Sequence, residues 1–263
     1  MLRRKILIVG FAISIVALFL LINFVRAKYV VPILMYHHVV SGASKENRVV
    51  VSPAEFQRQM RFLRNNQYNI VPLETVADLM RDKKKMPART IAITLDDGNK
   101  DNYTHAFPIL KKYNIPATMF IIIDEVGRSQ GDKLSWDEIK AMHDSGLITF
   151  GSHCLGPEPL INIMHETEIK RQVFDSKKAL EAKLGRVVTA FSYPEGLFNG
   201  RIKQLVMDAG YKLAVVTNPG RRFPNNDVFL LKRQRISSKS YNLFVFWLQS
   251  SGYYNLIKEY RKK

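Results

Sequence analysis

Hydrophobic and polar positions divide this chain into an apolar N-terminal run and a long stretch of alternating strand and helix patterns. Ile6 to Val25 carries no charge and follows the basic stub Met1-Leu2-Arg3-Arg4-Lys5. About twenty such residues reach across a bilayer as a helix. The cations ahead of the run, with the amino terminus, outnumber Arg26 and Lys28 behind it. The positive-inside rule then places the N-terminus in the cytoplasm and the bulk of the chain outside. A cleavable signal peptide has a shorter apolar core. Residues 1–28 therefore read as an uncleaved single-pass anchor, with secretion only if the chain is cut after Ala27.

Behind this run, Val30 to Met35 is an apolar strand that ends in Tyr36-His37-His38. Ser52-Pro53-Ala54-Glu55 has the residues of a helix start: Ser52 caps, Pro53 fits the first turn and Glu55 completes a capping box. Phe56, Met60 and Leu63 then fall on one helical face. Further helices are expected over Leu73–Arg81, Tyr103–Tyr113, from Ser135 to Gly146, Thr167–Leu184 and Ile202–Ala209. Strands are expected over Ala117–Ile123, Leu147–His153, Val187–Tyr193 and Tyr211–Thr217. Strands alternating with helices predict a parallel sheet with helical crossovers. No repeat, low-complexity run or Gly/Ser linker divides the stretch, so residues 29–263 are expected to form one domain.

Composition narrows the class. The 263 residues are 46% hydrophobic, enough for a full α/β core. Cys154 is the one cysteine, which excludes an internal disulfide and a cysteine-based zinc cluster. A formal charge of +17 attracts anionic partners, whether nucleic acid, envelope polymers or lipid headgroups. No zinc-finger spacing, aromatic RNA-binding signature or P-loop supports nucleic acid, and none is expected as a partner. The basic tail Lys258 to Lys263 is a solvated or headgroup-facing end.

Candidate chemistry gathers at strand ends. Ile91-Ala92-Ile93-Thr94-Leu95 is a buried strand that runs into Asp96-Asp97-Gly98. Two adjacent carboxylates at the end of an apolar strand repel each other and lose water, so something must compensate them. A metal ion could, with one carboxylate ligating and the other free as a base. A polar strand end with one Asp capping the next helix is the plainer alternative. The stretch alone leaves both open. In parallel α/β folds the working residues sit at the C-terminal strand ends. Here those ends carry His37 and His38, Asp96 and Asp97, His153, and Ser192-Tyr193-Pro194-Glu195-Gly196, a coincidence that predicts a site.

At these residues the chain resembles the polysaccharide deacetylase (NodB-homology) family of carbohydrate esterases, in its membrane-anchored or secreted branch. Ile33 to His38 resembles that branch's opening strand, and Thr94-Leu95-Asp96-Asp97-Gly98 the family's first motif. Gly151-Ser152-His153 begins the second motif, Phe191 to Gly196 resembles the third, and Asp227 to Arg233 is similar to the closing segment. The resemblance implies a deformed (β/α)7 TIM-like barrel with a core at about 88–238. It also implies metal-dependent removal of N-acetyl groups from an amino-sugar polymer. By carry-over, Asp96 is the general base, Asp97 and His153 are ligands of a divalent metal, Zn2+ first among them, and Tyr193, Pro194 and Glu195 wall the groove. The Glu195 backbone N–H would hold the oxyanion, and His37 or His38 would supply the acid.

The departures are specific. The family's second metal histidine falls at Pro157, which cannot ligate through its side chain. Glu158 is then the substitute ligand to look for, with Cys154 and His165 behind it. Ser192 stands where many members carry arginine, and Glu195 where they carry an aromatic residue. The expected function is a hydrolase acting on an N-acetylated polysaccharide of the cell envelope. The rival is an inactive glycan-binding descendant, with the site lost at Pro157.

Overall fold

Short apolar strands separated by capped helices assemble, in the computed structural model, into one parallel sheet rolled into a nearly closed barrel. Described are residues 11–24 (except 12 and 22), 29–42, 47, 49–128, 132–217 and 226–254. The basic stub, the cleavage position after Ala27 and the tail Lys258–Lys263 lie outside them. After a helix α1 at residues 11–24 come strands β1 (Ile33–Tyr36), β2 (His38–Val39) and β3 (Val50–Val51), then α2 (Pro53–Asn65), β4 (Asn69–Ile70), α3 (Leu73–Arg81) and β5 (Thr90–Leu95). Next are α4 (Phe107–Tyr113), β6 (Ala117–Ile121), α5 (Trp136–Asp144), β7 (Ile148–Ser152), α6 (Glu166–Leu184), β8 (Ala190–Ser192), α7 (Gly200–Asp208) and β9 (Leu213–Val216). The chain closes with β10 (Leu231–Lys232), β11 (Gln234–Arg235) and α8 (Leu243–Ser250).

The sheet order is β10-β9-β8-β7-β6-β5-β1-β11, with β4 added beside β5. Its two ends, β10 and β11, are consecutive halves of one stretch. Leu231 and Lys232 pair with Val215 and Val216 of β9. Gln234 and Arg235 pair with Leu34 and Met35 of β1. The stretch 231–235 therefore spans the seam, changing partner at Arg233.

Parity decides which way each side chain faces, because successive strand residues point to opposite sides. Ile33, Ala92, Phe120, Ala190, Leu213 and Val215 share one buried cluster with Leu73, Val76 and Ala77 of α3. Leu34, Tyr36, Ile91, Ile93, Leu95 and Phe191 join the other, with Phe56, Leu110, Ile139, Val173 and Ile202 of the surrounding helices. The first set fills the barrel and the second lies between barrel and helices. Counting on from the first set, Met35 and His37, Thr94 and Asp96, Gly151 and His153, and Ser192 take interior positions at the C-terminal strand ends.

Helix starts follow the local chemistry. Ser52 accepts from the Glu55 N–H while Glu55 reaches back to the Ser52 N–H, and Ser135 and Glu138 repeat the arrangement at α5. Such a cap contributes about 1 kcal/mol. Gly185 ends α6 at φ +66°. Strands are shorter than their apolar runs: Val187–Tyr193 pairs only over Ala190–Ser192.

The anchor needs correction. Among the described residues no helix is long and apolar enough to cross a membrane. The single-pass placement, and with it the transmembrane localisation, is not carried forward.

Candidate active site

Asp96 ends β5 on an interior position and is buried at 2% exposure. Its partner is Arg233, equally buried, which donates through Nη1 to Oδ1 at 2.6 Å and through Nη2 to Oδ2 at 2.7 Å. The guanidinium also donates to Thr94 Oγ1 (3.2 Å), Ser192 Oγ (3.0 Å) and the Val216 carbonyl (3.3 Å), and its carbon stands 5.5 Å from the centre of the Phe120 ring. Burial pushes the Asp96 carboxyl up. The charge of Arg233, with His153, the Arg233 hydrogen bonds and His37, outweighs burial and holds Asp96 below the ordinary carboxylate range.

Sequence reasoning missed Arg233. It took that position as part of a closing segment and noted only that Ser192 stands where arginine is common. The geometry joins the two facts: the cation comes from the seam stretch instead, and the Ser192 hydroxyl accepts from it. Two cations, Lys232 and Arg233, directly after the apolar Val228-Phe229-Leu230-Leu231, were the signal available.

Asp97 turns away from its neighbour. Its φ of +73° and the +63° of Gly98 reverse the chain directly after β5. Asp is among the few side chains that tolerate this region. Asp97 Oδ1 comes to 3.5 Å from His153 Nε2. The His153 ring is oriented from behind, where Nδ1–H donates to the Ser192 carbonyl at 2.8 Å. A carbonyl only accepts, so Nδ1 carries a proton, and Nε2 is the nitrogen that faces Asp97. Lys133 supports the turn by donating to the Asp97 carbonyl (3.3 Å) and to Asn99 Oδ1 (3.0 Å).

Asp96, Asp97, His153 and Arg233 border one cleft of about 390 Å³, together with His37, Pro157, Tyr193, Pro194, Glu195, Gly196 and Arg235. The two sequence-adjacent histidines part company. His37 is interior, with Nδ1 buried and without a hydrogen-bond partner among the described residues, and its carbonyl accepts from Asn102 (2.8 Å) and Asn99 (3.3 Å). Burial lowers its proton affinity, Asp96 and Asp97 pull it back up, and Arg233 and Arg235 lower it further; the net shift is downward. His38 faces outward and binds Asp101 at 2.7 Å. It does not border the cleft.

Three candidate ligands lie outside the cleft lining. Glu158, sought as a substitute ligand, is exposed and accepts from Asn162 at 2.7 Å, because the helical turn at Leu160–Asn162 brings that amide back to it. It is no part of the cleft wall. Cys154 is fully buried and its thiol is pushed up by burial, while His165 caps α6 in an exposed position. Tyr193 borders the cleft, with its ring packed between Phe191 and Phe198, ring centres 5.2 and 5.3 Å away. Pro194 and Glu195 border it as well. Glu195 sits at φ +55°, and the N–H groups after it are tied back, Gly196 to Tyr193 at 2.8 Å and Leu197 to Pro194 at 3.1 Å.

A metal ion is tested against the donors present. Two donors on a tetrahedral zinc with bonds of 2.0–2.1 Å stand about 3.3 Å apart, close to the 3.5 Å between Asp97 Oδ1 and His153 Nε2. A ligating histidine characteristically donates its other N–H to a carbonyl or carboxylate, as His153 does. The pair fits a divalent ion with two protein donors. No group of three His, Cys, Asp or Glu side chains comes together among the described residues.

The family model for polysaccharide deacetylase matches residues 83–214. YxkH of Bacillus subtilis, which bears the polysaccharide deacetylase name, is 33% identical over 208 residues, 78% of this chain and 71% of that one. The poly-β-1,6-N-acetyl-D-glucosamine N-deacetylase of Staphylococcus aureus is 29% identical over 215 residues, 78% of this chain and 74% of that one. The solved structure of the Streptococcus pyogenes deacetylase PplD in complex with acetate superposes with a TM-score of 0.72 at 28% identity, covering 80% of this chain and 95% of that one. With half of its length matched by the family model and a third of its aligned residues shared with such a relative, the chain belongs to the polysaccharide deacetylase family.

Proposed function

We propose that this protein hydrolyses N-acetyl groups from an amino-sugar polymer of the cell envelope in the cleft bounded by Asp96, Asp97, His153 and His37. One observation carries the reading: two adjacent aspartates given opposite tasks. Asp96 is clamped and neutralised by Arg233, while Asp97 is turned out to face His153. The relative that acts on poly-β-1,6-N-acetyl-D-glucosamine supports the substrate class.

An acetamide is a weak electrophile, so its carbonyl must be polarised and a water activated. A divalent ion held by Asp97 and His153 would supply that polarisation when bound. The chain's own residues do the rest. Asp96 takes the proton from the attacking water, with Arg233 holding the carboxylate in place as the proton arrives. The Glu195 N–H, which precedes the tied-back N–H groups of Gly196 and Leu197, donates to the developing oxyanion. His37 protonates the departing amine, its burial making the proton easy to release. Acetate and a free amine leave, and solvent returns Asp96 and His37 to their starting states.

A second reading, glycan binding without turnover, is favoured by Pro157 at the cleft wall. Acetate release from N-acetylated β-1,6-glucosamine oligomers, assayed with added Zn2+, separates the two. Turnover that falls about 10²–10⁴-fold in Asp96→Asn supports hydrolysis. Binding with no acetate formed in the native chain sinks it.

A further inference from the structure

The segment that carries the two aspartates also grips the chain at His37. The Asp96 N–H donates to the Tyr36 carbonyl at 3.0 Å. The His37 carbonyl accepts from Asn102 Nδ2 at 2.8 Å and from Asn99 Nδ2 at 3.3 Å. The Val39 N–H donates to Asp101 Oδ1 at 2.9 Å, and His38 Nδ1 meets Asp101 Oδ2 at 2.7 Å. Residues 96–102 thus hold the backbone on both sides of His37. Asn102 is the fully buried centre of this clamp, and its amide nitrogen also donates to Asp101 Oδ1 at 2.6 Å. Both of its neighbours are acceptors, so only one orientation of the amide satisfies them, nitrogen inward. The chain leaves the clamp through a wide π-type turn, in which the Phe107 N–H reaches back five residues to the Asn102 carbonyl. Such turns recur at functional positions. Asn99, Asp101 and Asn102 do not border the cleft themselves. His153 is aimed through its ring, by the bond from Nδ1 to Ser192. His37 Nδ1 is buried without a hydrogen-bond partner among the described residues, so its ring is aimed by packing and by the placement of its backbone.

We propose that Asn102 is a positioning residue of the reaction, which sets the His37 ring against the departing amine. Residues 96–102 then carry the base and place the acid, so one segment fixes the distance between them. A proton donor must stand within hydrogen-bond reach of the leaving nitrogen as the carbon–nitrogen bond breaks. A shift of about 1 Å in such a group costs about 10²-fold in rate. Loss of Asn102 leaves β1 paired with β5 and β11, and Asn99 keeps a longer hold on the same carbonyl. The acid is loosened while the barrel stays closed. The inference rests on the deacetylase reading of the cleft, with His37 as its acid, and names the group that places that acid.

The test compares two acetyl donors on the full chain with Zn2+ added: an amide whose leaving amine needs a proton, and an ester whose leaving group does not. On a β-1,6-linked N-acetylglucosamine pentamer, Asn102→Leu should lower kcat about 10–100-fold with KM nearly unchanged. On 4-nitrophenyl acetate, whose phenolate departs without a proton, the same variant should stay within about threefold of native. His37→Ala should show the same contrast. The double variant should lose no more than about threefold beyond His37→Ala alone, because both act through one ring. NMR of the histidine rings reads the placement without turnover: the His37 signals should move in Asn102→Leu. If Asn102→Leu does not fold, Asn102→Asp keeps the shape, turns an acceptor toward the His37 carbonyl and should give the same pattern. Equal losses on amide and ester, additive losses in the double variant, or His37 signals that stay in place would each overturn the proposal. A native chain that releases no acetate from the pentamer removes the functional reading, and the ring signals then decide the placement of His37 by themselves.

Discussion

Arg233 and Asp96 illustrate how much one residue pair decides here. Removing one partner of a buried ion pair leaves an uncompensated charge, at a cost of about 3–5 kcal/mol. Arg233→Met should therefore lower the unfolding free energy by that amount, measured by urea denaturation. Arg233→Lys keeps the charge but loses the two-pronged grip on both Asp96 oxygens. It should retain most of the stability and lose turnover chiefly in kcat, with KM nearly unchanged. The histidines give a paired test. His37→Ala should cut kcat by about 10²–10⁴-fold while His38→Ala leaves turnover near native. Equal losses in the two would remove His37 from its role as acid. At this scale the sequence was partly legible. Asp96, Asp97 and His153 announce themselves by type and place. Nothing local distinguishes His37 from His38, or marks Arg233 as the partner of a residue 137 positions earlier.

Elements carry the site by close approach and by turn geometry. A Cβ on Gly196 would come within 1.9 Å of Thr217 Oγ1, at a φ of +74° that L side chains avoid. Gly196→Ala must shift the turn that presents the Glu195 N–H, so both melting temperature and kcat should fall. Gly151, an interior position of β7, leaves room for Phe120; a Cβ there would stand 2.6 Å from that ring and 2.8 Å from the Ala190 carbonyl. Gly151→Ala should cost about 1–3 kcal/mol through overpacking, read by thermal denaturation. The link between β2 and the turn after β5 depends on pH. The hydrogen bond that His38 donates to Asp101 is the main cause that raises the His38 pKa above its ordinary 6.5. A raised folded value means that this stabilisation is fully present below the unfolded value and is lost as pH rises through the folded one. Asp101→Asn should thus lower the melting temperature more at about pH 5.5 than at about pH 8.5. An NMR titration placing His38 at or below 6.5 in the native chain would contradict it.

At the scale of the whole molecule, a formal charge of +17 acts over distances that no single contact covers. Exposed charge of this kind speeds encounter with anionic polymers and is screened by salt. The native chain should bind a polyanionic resin at low ionic strength and elute well before about 1 M salt, where the screening length is about 3 Å. Retention that ignores salt would point to apolar contact instead.

The order of strands and helices, their capped starts, and the strand-end positions of Asp96, Asp97 and His153 were determined by the sequence alone. Each depends on near neighbours: parity along a strand, an oxygen placed three residues before an N–H, a glycine where the chain reverses. Only the tertiary structure decided that the stretch 231–235 bridges β9 and β1 and so delivers Arg233 to Asp96. It also decided that His37 rather than His38 enters the cleft, and that Glu158 belongs to Asn162. These outcomes are set by barrel closure, which brings distant segments into register. No local pattern of residues encodes which of them will meet.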